Sequence, residues 1–163
     1  MDSGIGPSSF LDPTTVKGST NTRDCAHNTH LYEEVIHVPM FFRVPGFEGK
    51  VIDTMVSAMD LGPTILDLFG LPTPGQYMGQ SLVPALAGEG VNLSRPILAS
   101  TLERFRKTAL YQPPFKLIVN DRNKTAEVYD LSKDPDERDN LADTMAEEML
   151  KDLNALRGVH RPR

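Results

Sequence analysis

Met40-Phe-Phe-Arg-Val44 is apolar at all but one position, with Pro39 on one side and Pro45-Gly46 on the other. A run this short, apolar and sharply bounded reads as a buried strand that needs neighbours on both faces. Val51 to Val56 reads as a second extended segment. Before them, Leu31 to Val38 reads as a short helix or turn, with Glu33 and Glu34 near its start, and Pro39 interrupts it. A chain that must pack such strands requires cover from its other elements.

Asp60 is placed to cap the next helix, and Pro63 is tolerated in its first turn. Leu61, Ile65, Leu66 and Phe69 fall on one face, and Gly70 with Pro72 stops the helix. Ser81 caps a short helix from Leu82 to Leu86, before the loop Gly88-Glu89-Gly90. Ile97 to Thr101, Lys107 to Tyr111, Phe115 to Asn120 and Ala126 to Tyr129 read as strands of a small antiparallel sheet. Asp121-Arg-Asn-Lys turns the chain between the last two. A final helix, about Leu141 to Leu156, carries Leu141, Met145, Met149, Leu153 and Leu156 as its apolar stripe, and Gly158 ends it.

Length and charge narrow the function. A chain of 163 residues suffices for one ordinary domain with a substantial core. The net charge is −5 and the only basic cluster is the Arg157 to Arg163 tail, so the chain is expected to bind no nucleic acid. No run of about 18 apolar residues exists, so no membrane span is expected. A single cysteine, Cys25, rules out an internal disulfide framework.

Three runs, taken in order, carry a resemblance. They are His30-Leu-Tyr-Glu-Glu-Val-Ile-His-Val-Pro-Met-Phe-Phe-Arg-Val-Pro-Gly46, Met59-Asp-Leu-Gly-Pro-Thr-Ile-Leu-Asp-Leu-Phe-Gly-Leu-Pro72, and Val128-Tyr-Asp-Leu-Ser-Lys-Asp-Pro-Asp-Glu137 with Asn140-Leu141. Together they resemble the C-terminal part of sulfatases of the alkaline-phosphatase superfamily, over roughly residues 27 to 157. The resemblance implies an α/β fold present as an α+β fragment: the C-terminal part of an alkaline-phosphatase-like sulfatase fold, with a small antiparallel sheet and a C-terminal helix. It divides the chain into an irregular segment over 1–26, a partial α/β core over 27–95, and an antiparallel-sheet subdomain with a terminal helix over 96–163.

The resemblance also implies a chemistry. Intact sulfatases hydrolyse sulfate esters with a formylglycine nucleophile made from a Cys-x-Pro/Ala-x-Arg motif, helped by calcium or another divalent cation that polarises the sulfate. Cys25 is followed by Ala26, His27, Asn28 and Thr29, so threonine stands where that motif needs arginine. Cys25 is therefore read as a plain thiol. His27 lies five positions before Tyr32, where family members carry a histidine or lysine that contacts the sulfate, and it is the one candidate site residue. The chain itself is expected to hold no metal and no cofactor, and to be inactive alone. Its implied partners are a sulfate-ester substrate and a missing N-terminal half. The alternatives are a non-catalytic remnant or association module, or a fragment of a related phosphodiesterase or phosphoglycerol transferase.

Other acidic and histidine residues read as structural. Glu33 and Glu34 are adjacent, so on a helix they point about 100° apart and form no acid pair. His30 and His37 read as packing or helix-surface residues, and Asp60 and Asp67 as a cap and an exposed face. Asp134, Asp136 and Glu137 imitate a cation loop without the glycine and terminal glutamate that a calcium loop needs.

Residues 1–26 lack both helical and strand periodicity. Back-translating Pro13 to Thr22 with suitable third bases and starting one base earlier yields Asp-His-Gly-Glu-Gly-Phe-His-Glu-His, a family-like metal motif. The expectation is that residues 1 to about 25 are an out-of-frame translation, with the frame restored near His27.

Overall fold

A computed structural model of the chain describes residues 17–18, 30–89, 95–101 and 106–159. The chain forms two compact units, residues 1–38 with 98–163, and residues 39–97.

The first unit is built on a sheet ordered β1-β5-β4-β3-β2. Its strands are β1 (Lys17–Gly18), β2 (Ile97–Ser100), β3 (Lys107–Gln112), β4 (Phe115–Asn120) and β5 (Thr125–Asp130). Strands β3, β4 and β5 run antiparallel in tight hairpins, while the two residues of β1 run parallel to β5. Pro113-Pro114 closes the first hairpin. In the second, the Asn120 side chain accepts the Arg122 and Asn123 N–H groups and Lys124 takes the left-handed backbone (φ 54°). These strands match the periodicity and turn chemistry of the sequence closely.

Period-2 alternation sorts the sheet's side chains into two layers. Leu110, Leu117, Val119, Ala126 and Val128 face the terminal helix, labelled α4 (Ala142–Val159), and pack on Ala142, Met149, Leu150 and Leu153. Ala109, Ile118 and Tyr129 face the other way, against Leu31 and Tyr32. β4 is thus covered on both faces. Asn140 anchors the start of α4 to the sheet: its Oδ1 accepts the N–H groups of Ala142 and Val128. The helix runs one residue past Gly158, its expected end. Leu153 is fully buried at its centre. Leu153→Ala is expected to cost about 2–5 kcal/mol of stability, measured as a fall in the denaturant midpoint at unchanged m-value.

Helix α1 is shorter than its sequence pattern, only Glu33–Ile36. In the second unit a 3-10 turn (Ala58–Asp60) leads into α2 (Leu61–Leu68), and α3 (Val83–Ala87) follows. Asp60 stands at the N-cap of α2, but its side chain makes no cap bond to that helix; it closes the capping box of the preceding turn, whose cap is Ser57. Ser57 Oγ accepts the Met59 N–H and the Asp60 carboxylate accepts the Ser57 N–H. Gly70 ends α2 with a left-handed φ of 67°, and the Gly70 and Leu71 N–H groups bond back to the carbonyls of Asp67 and Leu66.

Two further expectations fail in this unit. Neither Met40–Val44 nor Val51–Val56 forms a strand; both are irregular, and Phe41 is 88% exposed. A strand is defined by its ladder, and an apolar run without an adjacent strand to bond has nothing to hold it extended. The α2 stripe has the expected period but the opposite setting: Leu61, Ile65 and Phe69 point to solvent. The residues buried in the unit include Pro63, Leu82 and Ala85, and with them polar ones. Asp60 and Thr64 are fully buried, with Thr64 Oγ1 donating to the Asp60 carbonyl and accepting the Leu82 N–H.

Candidate functional site

The chemistry-bearing side chains of the first unit gather on the sheet face opposite α4. Strand register puts Lys116 beside Tyr129 and Ile118 beside Glu127 on neighbouring strands, so these four share that face. The segment from His30 to Ile36 lies over them. Leu31 and Tyr32 are buried there, and Tyr32 meets Tyr129 edge-on with ring centroids 6.2 Å apart. His30 is buried against Tyr32, 5.3 Å between ring centroids.

Glu127 gathers the phenols. Its Oε2 accepts the Tyr32 hydroxyl at 2.5 Å and the Tyr129 hydroxyl at 3.0 Å. Burial, and then the neighbouring carboxylate, push both phenols above their ordinary range. They stand as neutral hydrogen-bond donors rather than as phenolate nucleophiles.

Lys116 forms the second knot. Its side chain is fully buried, and Nζ lies 2.8 Å from both Glu33 Oε1 and Glu137 Oε1. Glu137 Oε2 also accepts the Glu33 N–H at 2.6 Å. That N–H is one of the orphan donors at the start of α1, whose own N-cap residue, Tyr32, offers no side-chain cap. A carboxylate 104 positions downstream therefore caps the helix. Glu137 reaches it from a left-handed backbone (φ 53°), a conformation that costs about 1 kcal/mol or more in a residue other than glycine. Burial pushes the Glu137 carboxyl up, and Lys116 draws it back down.

A family model described as "N-sulphoglucosamine sulphohydrolase, C-terminal" matches residues 26–157, which is most of the chain. The chain belongs to the sulfatase family. Its relatives include the Delta 4,5-hexuronate-2-O-sulfatase of Bacteroides thetaiotaomicron, 32% identical over 137 residues that cover 77% of this chain and 28% of that protein. A solved structure of a putative sulfatase from the same organism superposes with a TM-score of 0.65 at 30% identity, covering 80% of this chain and 31% of that one. The phosphonate monoester hydrolase of Silicibacter pomeroyi superposes with a TM-score of 0.63 at 26% identity, covering 83% and 31%. The chain thus spans less than a third of the length of these proteins, and its fold is that of the C-terminal, α+β part of the sulfatases.

Of the residues that carry sulfatase chemistry in the sequence reading, Cys25 and His27 lie outside the described residues, as does nearly all of the 1–26 segment. His30 is described, and its buried Nδ1 meets no hydrogen-bond partner among the described residues. His37 is exposed, 3.6 Å from Glu33 across one helical turn. Asp67 sits on the exposed face and accepts the Ser81 hydroxyl. Among the described residues, no group of three or more histidine, cysteine, aspartate or glutamate side chains is set to hold a metal ion. The buried carboxylates have other partners: Glu137 has Lys116, which it shares with the half-buried Glu33, Asp60 has Arg95, Ser57 and Gln80, and Asp130 has Ser132 and Lys133.

Lys116 and Glu137 were invisible as a pair in the sequence. Lys116 reads as an ordinary polar position in a strand, and Glu137 as part of an acidic turn. The available signal was a single lysine set between Phe115 and the apolar run Leu117-Ile-Val119 of one strand, since a buried cation requires buried anions.

Proposed function

We propose that the chain is the C-terminal region of a sulfate-ester hydrolase. In this reading it supplies the framework that holds one wall of the site, and the reacting groups come from polypeptide outside it. The formylglycine nucleophile and the calcium or other divalent cation belong to that remaining part. His27, just ahead of the Tyr32-Glu33 turn, is proposed to reach the sulfate and neutralise it. The observation that carries this reading is the match of residues 26–157 to a sulfatase C-terminal family, supported by relatives named as sulfatases. The two knots described above give the turn after His27 a rigid seat: Tyr32 tied to Glu127, and Glu33 tied to Lys116 and Glu137. Residues 1–25 are proposed to be an out-of-frame translation; coding DNA unable to give Asp-His-Gly-Glu one base earlier ends that idea.

The experiment has two arms. The chain alone, with calcium and an aryl sulfate, is expected to show no turnover, and calorimetry no tight calcium binding. Residues 27–157 placed in the Bacteroides thetaiotaomicron sulfatase, in exchange for its matched region, are expected to give a chimera that hydrolyses a sulfate ester. A folded but inert chimera, or robust turnover by the chain alone, overturns the assignment.

A further inference from the structure

Positive charge without a partner collects at one end of the sheet in the first unit. Strand register lines up Lys107, Asn120 and Thr125 across β3, β4 and β5. Arg106 and Lys107 stand at the start of β3, and Arg122 and Lys124 stand in the turn between β4 and β5. All four cations therefore lie within two positions of that one row. The Asp121 N–H, bonded to the Arg106 carbonyl, ties the turn to the start of β3. In the sequence the cluster is split between positions 106–107 and 122–124, so no linear basic run announces it. Pairing of the three strands assembles it.

These cations differ from the others in the unit. Lys116, Lys133, Arg138 and Lys151 each meet a carboxylate. Among the described residues, Arg106, Lys107, Arg122 and Lys124 meet none. Lys107 is half-buried and the other three are exposed. Two acids come near, Asp121 and Glu127; both are half-buried, and Glu127 is held by the two phenols. The remaining acids gather elsewhere. Asp134, Asp136 and Asp139 follow the far end of β5, and Asp143, Glu147, Glu148 and Asp152 lie on α4. Like charges on neighbouring strands repel, and an anion from outside relieves that repulsion. Arg106 and Lys124 also hold left-handed backbone (φ 48° and 54°), where glycine or asparagine is least costly, and both positions carry a cation.

The spread of the cluster identifies its ligand. Three strands span two interstrand spacings, about 10 Å, which is wider than one sulfate group. The ligand that fits presents several anions in succession, and each arginine fork can take two oxygens of one of them. We propose that this end of the sheet binds a sulfated polysaccharide, with Arg106, Lys107, Arg122 and Lys124 meeting sulfate or carboxylate groups on successive sugars. The proposal rests on the sulfatase reading above, which makes a sulfate ester the anion at hand. Nucleic acid is the other common polyanion, and a chain of net charge −5 repels its dense phosphates everywhere except at this edge.

The test titrates the full chain into a fluorescein-labelled heparin fragment and follows anisotropy at about 50 and 200 mM salt. Binding is expected, and it is expected to weaken as salt rises. Arg122→Gln with Lys124→Gln is expected to weaken it about tenfold or more and to flatten the salt dependence. The thermal melt is expected to stay unchanged, because both side chains are exposed. Arg122→Lys with Lys124→Arg keeps the charge and is expected to keep the affinity, as is Lys151→Gln, which removes a paired cation on α4. If the turn substitutions do lower the melt, Arg106→Gln with Lys107→Gln removes two cations outside the turn and is expected to weaken binding likewise. The proposal is overturned by no binding, by equal binding of a desulfated fragment or of duplex DNA, or by binding that is lost with Arg157, Arg161 and Arg163 of the tail instead. A chimera of the kind described above that leaves an aryl sulfate intact, while the chain still binds the fragment, counts against the sulfatase reading and leaves this edge standing. An active chimera with no binding of the fragment does the reverse.

Discussion

Replacing Lys116 with alanine is expected to destabilise the first unit by about 3–5 kcal/mol, the scale for stripping one partner from a buried ion pair. Nζ answers Glu33 and Glu137 at once, so its removal leaves two carboxylates facing one another with no cation between them. The dependence on pH separates this from simple loss of packing. In the native sequence burial raises the Glu137 carboxyl and Lys116 lowers it. Without Lys116 the raising effects of burial and of the Glu33 carboxylate are opposed only by the Glu33 N–H, so the folded variant holds its proton more tightly than the unfolded chain does. A folded state that binds the proton better loses stability as pH rises through the folded pKa and recovers it as pH falls towards the unfolded glutamate value, about 4.3. The deficit of Lys116→Ala relative to the native sequence is therefore expected to be largest at pH 7 and to shrink on acidification. Paired denaturant titrations at pH 7 and pH 5 measure it, and a deficit independent of pH would show that the carboxylates are not the cause. Lys116→Met, which keeps most of the side-chain volume, is expected to show the same pH trend.

Asp60→Ala is expected to cost about 3 kcal/mol within the second unit, at the lower end of the range because Arg95 keeps partial access to water. One carboxylate serves the Ser57 N–H, the Gln80 N–H and both contacts of Arg95. The expected result is faster amide exchange along α2 and new proteolytic cuts near Ala58–Leu71, with β4 amides unchanged. Asp60→Asn retains acceptor capacity and loses the charge, and it is expected to fall between the native sequence and alanine. Unchanged exchange in Asp60→Ala would mean that this carboxylate does not hold the helix.

Local patterns told most where the chain solves its packing locally. β3, β4 and β5 alternate and are joined by turns with their own chemistry, and α4 lays a regular stripe on them; all four are legible in the sequence. Met40–Val44 and Val51–Val56 were not, because the same apolar run is a strand only where another strand lies beside it. For α2 the period was legible and the direction was not: a stripe says that a face is covered, never by what. The Lys116 knot was hidden for a related reason. Its members are 83 and 104 positions apart in pairs, and no spacing rule links a strand lysine to a helix start and a distant turn. As for the candidate site, the sequence named His27, which lies outside the described residues, and it gave no sign of the tyrosine–glutamate cluster seated behind the following turn.

The long-range cap on α1 has a bearing on the order in which the molecule takes shape. A four-residue helix with no terminal support of its own is far below the length at which helices persist in water. A synthetic peptide of this stretch would be coil. In a chain emerging from the ribosome, the turn after Tyr32 would stay unsettled through most of translation and acquire its form only once Glu137 has been synthesised and the hairpin carrying Lys116 has closed.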